Sequence, residues 1–212
     1  FYVIEDASHS LGGRRNGKMV GSCNYSHITV LSFHPVKIIT TGEGGAALTN
    51  DNSLARVMFK LRCNGITRNK KEMTRTPNEP WYYEQVSLGF NYRMSDIQAA
   101  LGISQLNRLD RLVAQRNEIA LRYDKALKDL PIKNLITLEG NYSARHLYVI
   151  RVSKKNHLKI FKGLRDEAIQ VNLHYMPVHL QPYYRKLGFH KGDFPESEKH
   201  GQEAISLPLY PS

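Results

Sequence analysis

An α/β fold is the class this sequence predicts, and three observations carry the prediction. Short apolar or β-branched runs at residues 1–5, 27–33 and 45–49 alternate with stretches of helical period. The first two runs end in polar, chemistry-bearing groups rather than in plain turns. The 212 residues, 41% hydrophobic and 23% charged, suffice for one large or two small globular domains.

Phe1-Tyr2-Val3-Ile4 reads as a buried strand leading into Glu5-Asp6-Ala7-Ser8-His9. A strand at residue one has no visible partner upstream, so the chain is expected to be the C-terminal portion of a longer protein. The second strand runs into Ser32-Phe33-His34-Pro35-Val36-Lys37, followed by Thr40-Thr41-Gly42-Glu43-Gly44-Gly45. Gly45 to Thr49 forms a third strand, closed by the turn signal Asn50-Asp51-Asn52. Leu54, Val57, Met58 and Leu61 then fall at i, i+3, i+4 and i+7 of a helix, with Gly65 placed to end it.

Residues 66–90 break the pattern with Pro77, Pro80 and the aromatic cluster Trp81-Tyr82-Tyr83, and a loop of this length in a compact protein points to function. Ser95 and Gln98 fit a capping box. One long helix is expected behind them to about Leu130, with Leu106, Leu109, Val113, Ala120, Tyr123 and Leu127 near helical spacing. Gly102 costs that helix about 1 kcal/mol relative to Ala, which signals close packing or a bend. Beyond residue 131, His146–Val152 reads as a strand, 156–168 as a helix and Ile169–Tyr175 as a second strand, a βαβ-like small domain. The expected domains are residues 1–110 and 111–212.

Formal net charge is +11, yet the basic residues are scattered and no nucleic-acid recognition pattern is present. An anionic small substrate accounts for the balance as well as a solvated surface does. No apolar run approaches the ~20 residues that span a bilayer. The two cysteines, Cys23 and Cys63, lack metal-ligand spacing and disulfide density, which fits a reducing cytosol. The histidines form no zinc pattern: His174 and His179 are five apart with Pro177 between them. The run Gly42-Glu43-Gly44-Gly45 lacks both the P-loop ending and the third glycine of a dinucleotide fingerprint, and reads as a tight turn.

A carboxylate ending one strand and a lysine just past another are the two groups that pyridoxal phosphate (PLP) chemistry requires. The wording around them strengthens that reading. Glu5-Asp6-Ala7-Ser8-His9, Ser32 to Lys37, Thr41 to Gly45, Gly89 to Ala100 and Val171 to His179 together resemble the DegT/DnrJ/EryC1/StrS family of PLP-dependent sugar aminotransferases. The fold implied is the fold-type I PLP-dependent transferase, aspartate aminotransferase-like: the end of its large domain plus the small C-terminal α/β domain. Within the family, Asn64 to Arg68, Pro80 to Gln85 and Val178 to Tyr184 look like the transaminases of pseudaminic acid biosynthesis, which act on a UDP-linked 4-keto-6-deoxy-N-acetylhexosamine.

By this resemblance Lys37 is the catalytic, Schiff-base lysine and Asp6 the partner of the pyridine nitrogen. His9 would lie on the ring-hydroxyl side, and Ser32 would bind the cofactor phosphate. Asn91 would reach the neighbouring subunit's phosphate, which implies a homodimer with shared active sites. Arg93, His174, Tyr175 and His179 are candidates for sugar or nucleotide contacts. Glutamate is the expected amino donor, no metal is involved, and neither nucleic acid nor membrane is an expected partner. The resemblance also implies an upstream segment with a phosphate-binding helix start and a stacking aromatic, which this sequence does not contain. The competing readings are an aminotransferase for another nucleotide-linked keto-deoxysugar and a non-catalytic PLP-binding module.

Overall fold

The computed structural model describes residues 1–211. In chain order the elements are β1 (Ile4–Asp6), β2 (Arg14–Arg15), β3 (Lys18–Met19), β4 (Ile28–Ser32), β5 (Gly45–Leu48), α1 (Asn52–Arg62), β6 (Ile66–Thr67), β7 (Glu84–Gln85) and α2 (Asp96–Leu106). They continue with α3 (Leu109–Ala126), β8 (Lys133–Asn134), β9 (Asn141–Tyr142), β10 (Tyr148–Arg151), α4 (Lys154–Asp166), a 3₁₀ turn (Val178–Leu180), α5 (Pro182–Lys186), α6 (Pro195–Glu203) and β11 (Ala204–Leu207). Two compact units result. The first holds Phe1–Asp110 together with Gly140–Ala144, and the second holds Arg111–Glu139 and the chain from Arg145 onward.

In the first unit β4 is the central strand of a three-stranded sheet ordered β1-β4-β5. It runs parallel to β1, with Asp6 opposite Val30, and antiparallel to β5, with Ser32 opposite Gly45. Both chemistry-bearing segments therefore leave one sheet from neighbouring strands. The expected burial of the first strand is not what the structure shows: Phe1, Tyr2 and Ile4 are exposed. β1 is the edge strand, paired on one side only, and its apolar side chains are uncovered by the described residues.

Helix α1 starts where the turn signal placed it, because the Asp51 carboxylate accepts the amides of Ser53 (2.6 Å) and Leu54 (3.0 Å). It ends at Arg62, and Gly65, at φ +72°, returns its amide to the Lys60 carbonyl (3.1 Å). The single helix expected from 95 to 130 is two helices. Asn107 and Arg108 interrupt it, with the Arg108 amide donating to Gln105 O (3.0 Å) in a tightened last turn. Leu109 then opens α3 as a buried side chain. Gly102 produces no break; a Cβ there would lie 2.8 Å from Thr41 Cγ2, so its role is close approach.

The second unit has a closed core of Ala120, Tyr148, Ile150, Val152, Val171 and Ile205. Its sheet is ordered β11-β10-β8 and is antiparallel throughout, with Ile150 opposite both Ile205 and Asn134. The βαβ expectation is corrected here, since 169–175 forms no strand; Asn172 alone bridges Ser206. Side chains take the backbone groups that a ladder would have used. Arg165 donates to Val171 O (2.9 and 2.6 Å), and the Leu173 amide donates to Asn172 Oδ1 (2.8 Å). Arg116, also buried, ties α3 to the chain end by donating to Leu209 O (2.9 Å).

Candidate active site

Asp6 is the last residue of β1, and the chain is pinned immediately after it. The Ala7 amide donates to Val30 O (2.9 Å) and Ala7 is 1% exposed. Ser8 then folds back in a short Asx turn, its amide (3.0 Å) and hydroxyl (2.6 Å) both donating to Asp6 Oδ1. These bonds, the hydroxyl first, hold the Asp6 carboxyl below the usual carboxylate range, and the charges of His9 and Lys37 add to the effect. Asp6 is therefore an ionised acceptor at neutral pH.

Lys37 sits on the loop from β4 to β5, and the neck of that loop is one residue. Phe33 donates its amide to Gly44 O (2.8 Å), while its carbonyl accepts the Thr41 amide (3.0 Å) and the Thr40 hydroxyl (3.0 Å). Inside the neck the Lys37 amide turns back to His34 O (2.9 Å), and the next two residues, Ile38 and Ile39, are buried. The apolar pair anchors the loop while Lys37 stays half-buried. Partial burial lowers the Lys37 pKa, and the negative charge of Asp6 pulls it the other way. Each of these two side chains thus feels the other across the two strands. Ser32 ends β4, its Oγ accepting the His34 amide at 3.4 Å.

The glycine-rich turn packs this loop against the start of α2. Gln98 completes the capping box with Ser95 and also donates Nε2 to Glu43 O (3.0 Å). A Cβ on Gly44 would meet Thr41 Oγ1 and lie 2.8 Å from Met94 Cε.

Asn91 and Arg93 have a different support. The amides of Phe90, Asn91 and Tyr92 donate to the carbonyls of Leu61 (2.7 Å), Cys63 (3.0 Å) and Arg62 (2.7 Å), which satisfies the C-terminal end of α1. Asn91, at φ +56°, and Arg93 are exposed, and Arg93 Nη1 donates to Asn64 Oδ1 (2.8 Å). The structure thus gathers Asp6, His9, Ser32 and Lys37 at one sheet end and gives Asn91 and Arg93 their own platform.

The remaining candidates belong to the second unit. His174 Nδ1 lies 2.8 Å from Ser206 Oγ, and Tyr175 is exposed, edge-on to the His174 ring. His179 is buried, with Nε2 3.0 Å from Glu198 Oε1.

The sequence profile of the DegT/DnrJ/EryC1/StrS aminotransferase family matches residues 1–212. The chain belongs to that family. It is 38% identical over 189 residues to the UDP-4-amino-4,6-dideoxy-N-acetyl-beta-L-altrosamine transaminase of Campylobacter jejuni, covering 87% of this chain and 47% of the relative. The structure of Helicobacter pylori PseC, an aminotransferase of pseudaminic acid biosynthesis, superimposes with a TM-score of 0.87 at 34% identity, over 99% of this chain and 54% of PseC. The Streptococcus pneumoniae protein Spr1654, described as a sugar aminotransferase and solved in a PLP form, gives a TM-score of 0.88 at 31% identity, over 99% of this chain and 53% of its own. The chain therefore spans about half the length of the curated relatives it matches. Its fold is that of the fold-type I sugar aminotransferases.

Two contacts of the candidate residues escaped the sequence reading. Ser8 holds the Asp6 carboxylate, and an Asp followed two residues later by Ser is the local signal that could have shown it. Glu198 carries no such signal, because its partner His179 is 19 residues away in sequence.

Proposed function

We propose that the full-length protein is a PLP-dependent aminotransferase. It moves an amino group from glutamate to C4 of a UDP-linked 4-keto-6-deoxy-N-acetylhexosamine, a step of pseudaminic acid biosynthesis. The observation that carries this reading is that Asp6 ends β1 and Lys37 follows the neighbouring parallel strand β4, so one sheet end presents a carboxylate held ionised and a half-buried amine. Such a donor set fits pyridoxal phosphate: a carboxylate for a cationic ring nitrogen, and an amine whose burial eases proton loss. The likeness to the Campylobacter transaminase and to PseC supports the sugar named.

When bound, PLP supplies an electron sink that lets nitrogen leave one carbon and join another. The protein's residues do the rest. Asp6 would stabilise positive charge on the ring nitrogen, and Ser8 holds that carboxylate ionised. Lys37 would hold the cofactor through Nζ, and its amine would be the group that takes up and returns the proton at the substrate carbon. Ser32 would offer a hydroxyl to the phosphate, His9 would lie on the ring-hydroxyl side, and Asn91 would serve the phosphate of a second copy in a homodimer. Arg93 of the first unit, and His174 and Tyr175 of the second, would contact the sugar nucleotide, while His179, buried against Glu198, would hold the segment that carries Tyr175. Cytoplasmic location fits these substrates, and among the described residues no helix is long and apolar enough to cross a membrane.

The test uses the full-length protein with PLP. Glutamate should convert the cofactor to its amine form and release 2-oxoglutarate, and the UDP-linked 4-keto sugar should then return the cofactor to its aldehyde form and gain a 4-amino group. If glutamate reacts while this sugar does not and another nucleotide-linked keto sugar does, the substrate assignment is wrong. If no amine is transferred to any of them, the activity is wrong.

A further inference from the structure

Helix α6 and the strand after it grip the segment 174–180 at four points among the described residues. His200 Nε2 lies 3.0 Å from the His174 carbonyl oxygen, and Ser206 Oγ lies 2.8 Å from His174 Nδ1. Gly201 sits so near Pro177 that a Cβ on it would fall 2.7 Å from the Cδ and 3.1 Å from the Cγ of the proline ring. The fourth point is the 3.0 Å contact of Glu198 Oε1 with His179 Nε2, whose side chains are 9% and 7% exposed. Glu198 Oε1 also accepts the Gly192 amide at 2.6 Å, so one buried oxygen joins the start of α6, the preceding turn and the 3₁₀ turn. The Phe194 ring stands edge-on to His179 at 4.9 Å and shields the pair. In contrast, Tyr175, Met176 and Val178 of the gripped segment are all more than half exposed.

The contrast has a physical consequence. A buried carboxylate held by two donors is costly to leave unpaired, so the segment it holds has one favoured conformation. The residues that this conformation turns outward are large and uncommitted. We infer that Glu198 is a positioning residue, which through His179 fixes the 175–180 segment so that Tyr175 meets the sugar nucleotide. This rests on the proposed function for its substrate. It assigns to Glu198 no contact with substrate or cofactor.

The experiment compares full-length wild type, Glu198→Ala, Glu198→Gln and Gly201→Ala, all with PLP. Amide hydrogen exchange in 173–180 should quicken about tenfold or more in Glu198→Ala, and less in Glu198→Gln, which keeps an oxygen acceptor. KM for the UDP-linked 4-keto sugar should rise about tenfold, while the glutamate half-reaction and PLP absorbance stay at wild-type values. Gly201→Ala, which pushes on Pro177 from the same helix, should show the same split even if Glu198→Ala fails to fold. Unchanged exchange in 173–180, or an equal loss in both half-reactions, overturns the role of Glu198. If the wild type transfers no amine to the sugar, the proposed function fails instead, and the exchange rates alone decide whether Glu198 holds the segment.

Discussion

The two units of this chain spend their apolar residues differently. The second unit encloses its own: Val171 and Ile205 are 0% exposed, and Tyr148, Ile150 and Val152 pack against them. In the first, the large side chains of β1 and α2, such as Ile4, Ile97 and Ile103, lie open at 65%, 85% and 65%. Among its buried residues, Ala7 directly follows Asp6, and Ile38 and Ile39 directly follow Lys37. One unit uses hydrophobic burial to hold itself together, and the other uses it to hold two charged side chains in place. Substitutions at Asp6 and Lys37 should therefore remove chemistry while leaving the fold, and substitutions in the closed core of the second unit should do the reverse.

The largest expected effect is that of Lys37→Ala, which should abolish amino transfer in the full-length protein while thermal melting moves little. A large fall in melting temperature would show that the loop is a stability element and would break the contrast. Asp6→Asn comes next. Loss of one charge pair at a site of reduced dielectric should slow turnover on the order of a thousandfold, with the fold retained. Near-normal turnover would remove Asp6 from the chemistry.

From the other side of the contrast, Ile205→Ala should cost about 2–5 kcal/mol of stability, read by denaturant unfolding, because a fully buried side chain leaves a cavity. A cost well below that range would mean the second unit is less tightly closed than its burial indicates. Asn91→Ala should weaken PLP binding by about 1.5–3 kcal/mol, roughly ten- to a hundredfold, without unfolding. Mixing it with Lys37→Ala subunits should restore some activity, since one site of each mixed dimer is intact. No recovery after confirmed subunit exchange would place Asn91 in its own subunit's site or outside it.

The smallest effect is a pH shift. In the PLP-free protein the Lys37 amine should titrate below the ordinary lysine value of 10.5, because burial disfavours its charge. Asp6 opposes that shift, so Asp6→Asn should move the midpoint of Lys37 acylation further down. A midpoint that rises, or stays fixed, would mean the two groups do not interact.

Local signals made much of this legible in sequence. The Asn50–Asn52 turn and the Ser95–Gln98 box depend on neighbours within a few residues. Failures occurred where apolar composition or period masked hydrogen bonds made by nearby polar groups. Residues 169–175 have strand-like composition, but Arg165 and Asn172 claim their backbone groups, so no ladder forms. The 95–130 stretch keeps an apolar period across Asn107, which hides a break made by backbone hydrogen bonds. At the site, motif wording pointed to Lys37 and Asp6. Nothing local pointed to Glu198, whose two donors come from segments brought together only by folding.

The most direct test of the central claim is where the cofactor attaches. Full-length protein should be loaded with PLP, reduced with borohydride, digested and mapped by mass spectrometry. The account predicts a single phosphopyridoxyl group on Lys37, the one lysine held half-buried on the β4–β5 loop within the field of Asp6. A phosphopyridoxyl group on any other lysine, with Lys37 unmodified, would contradict it.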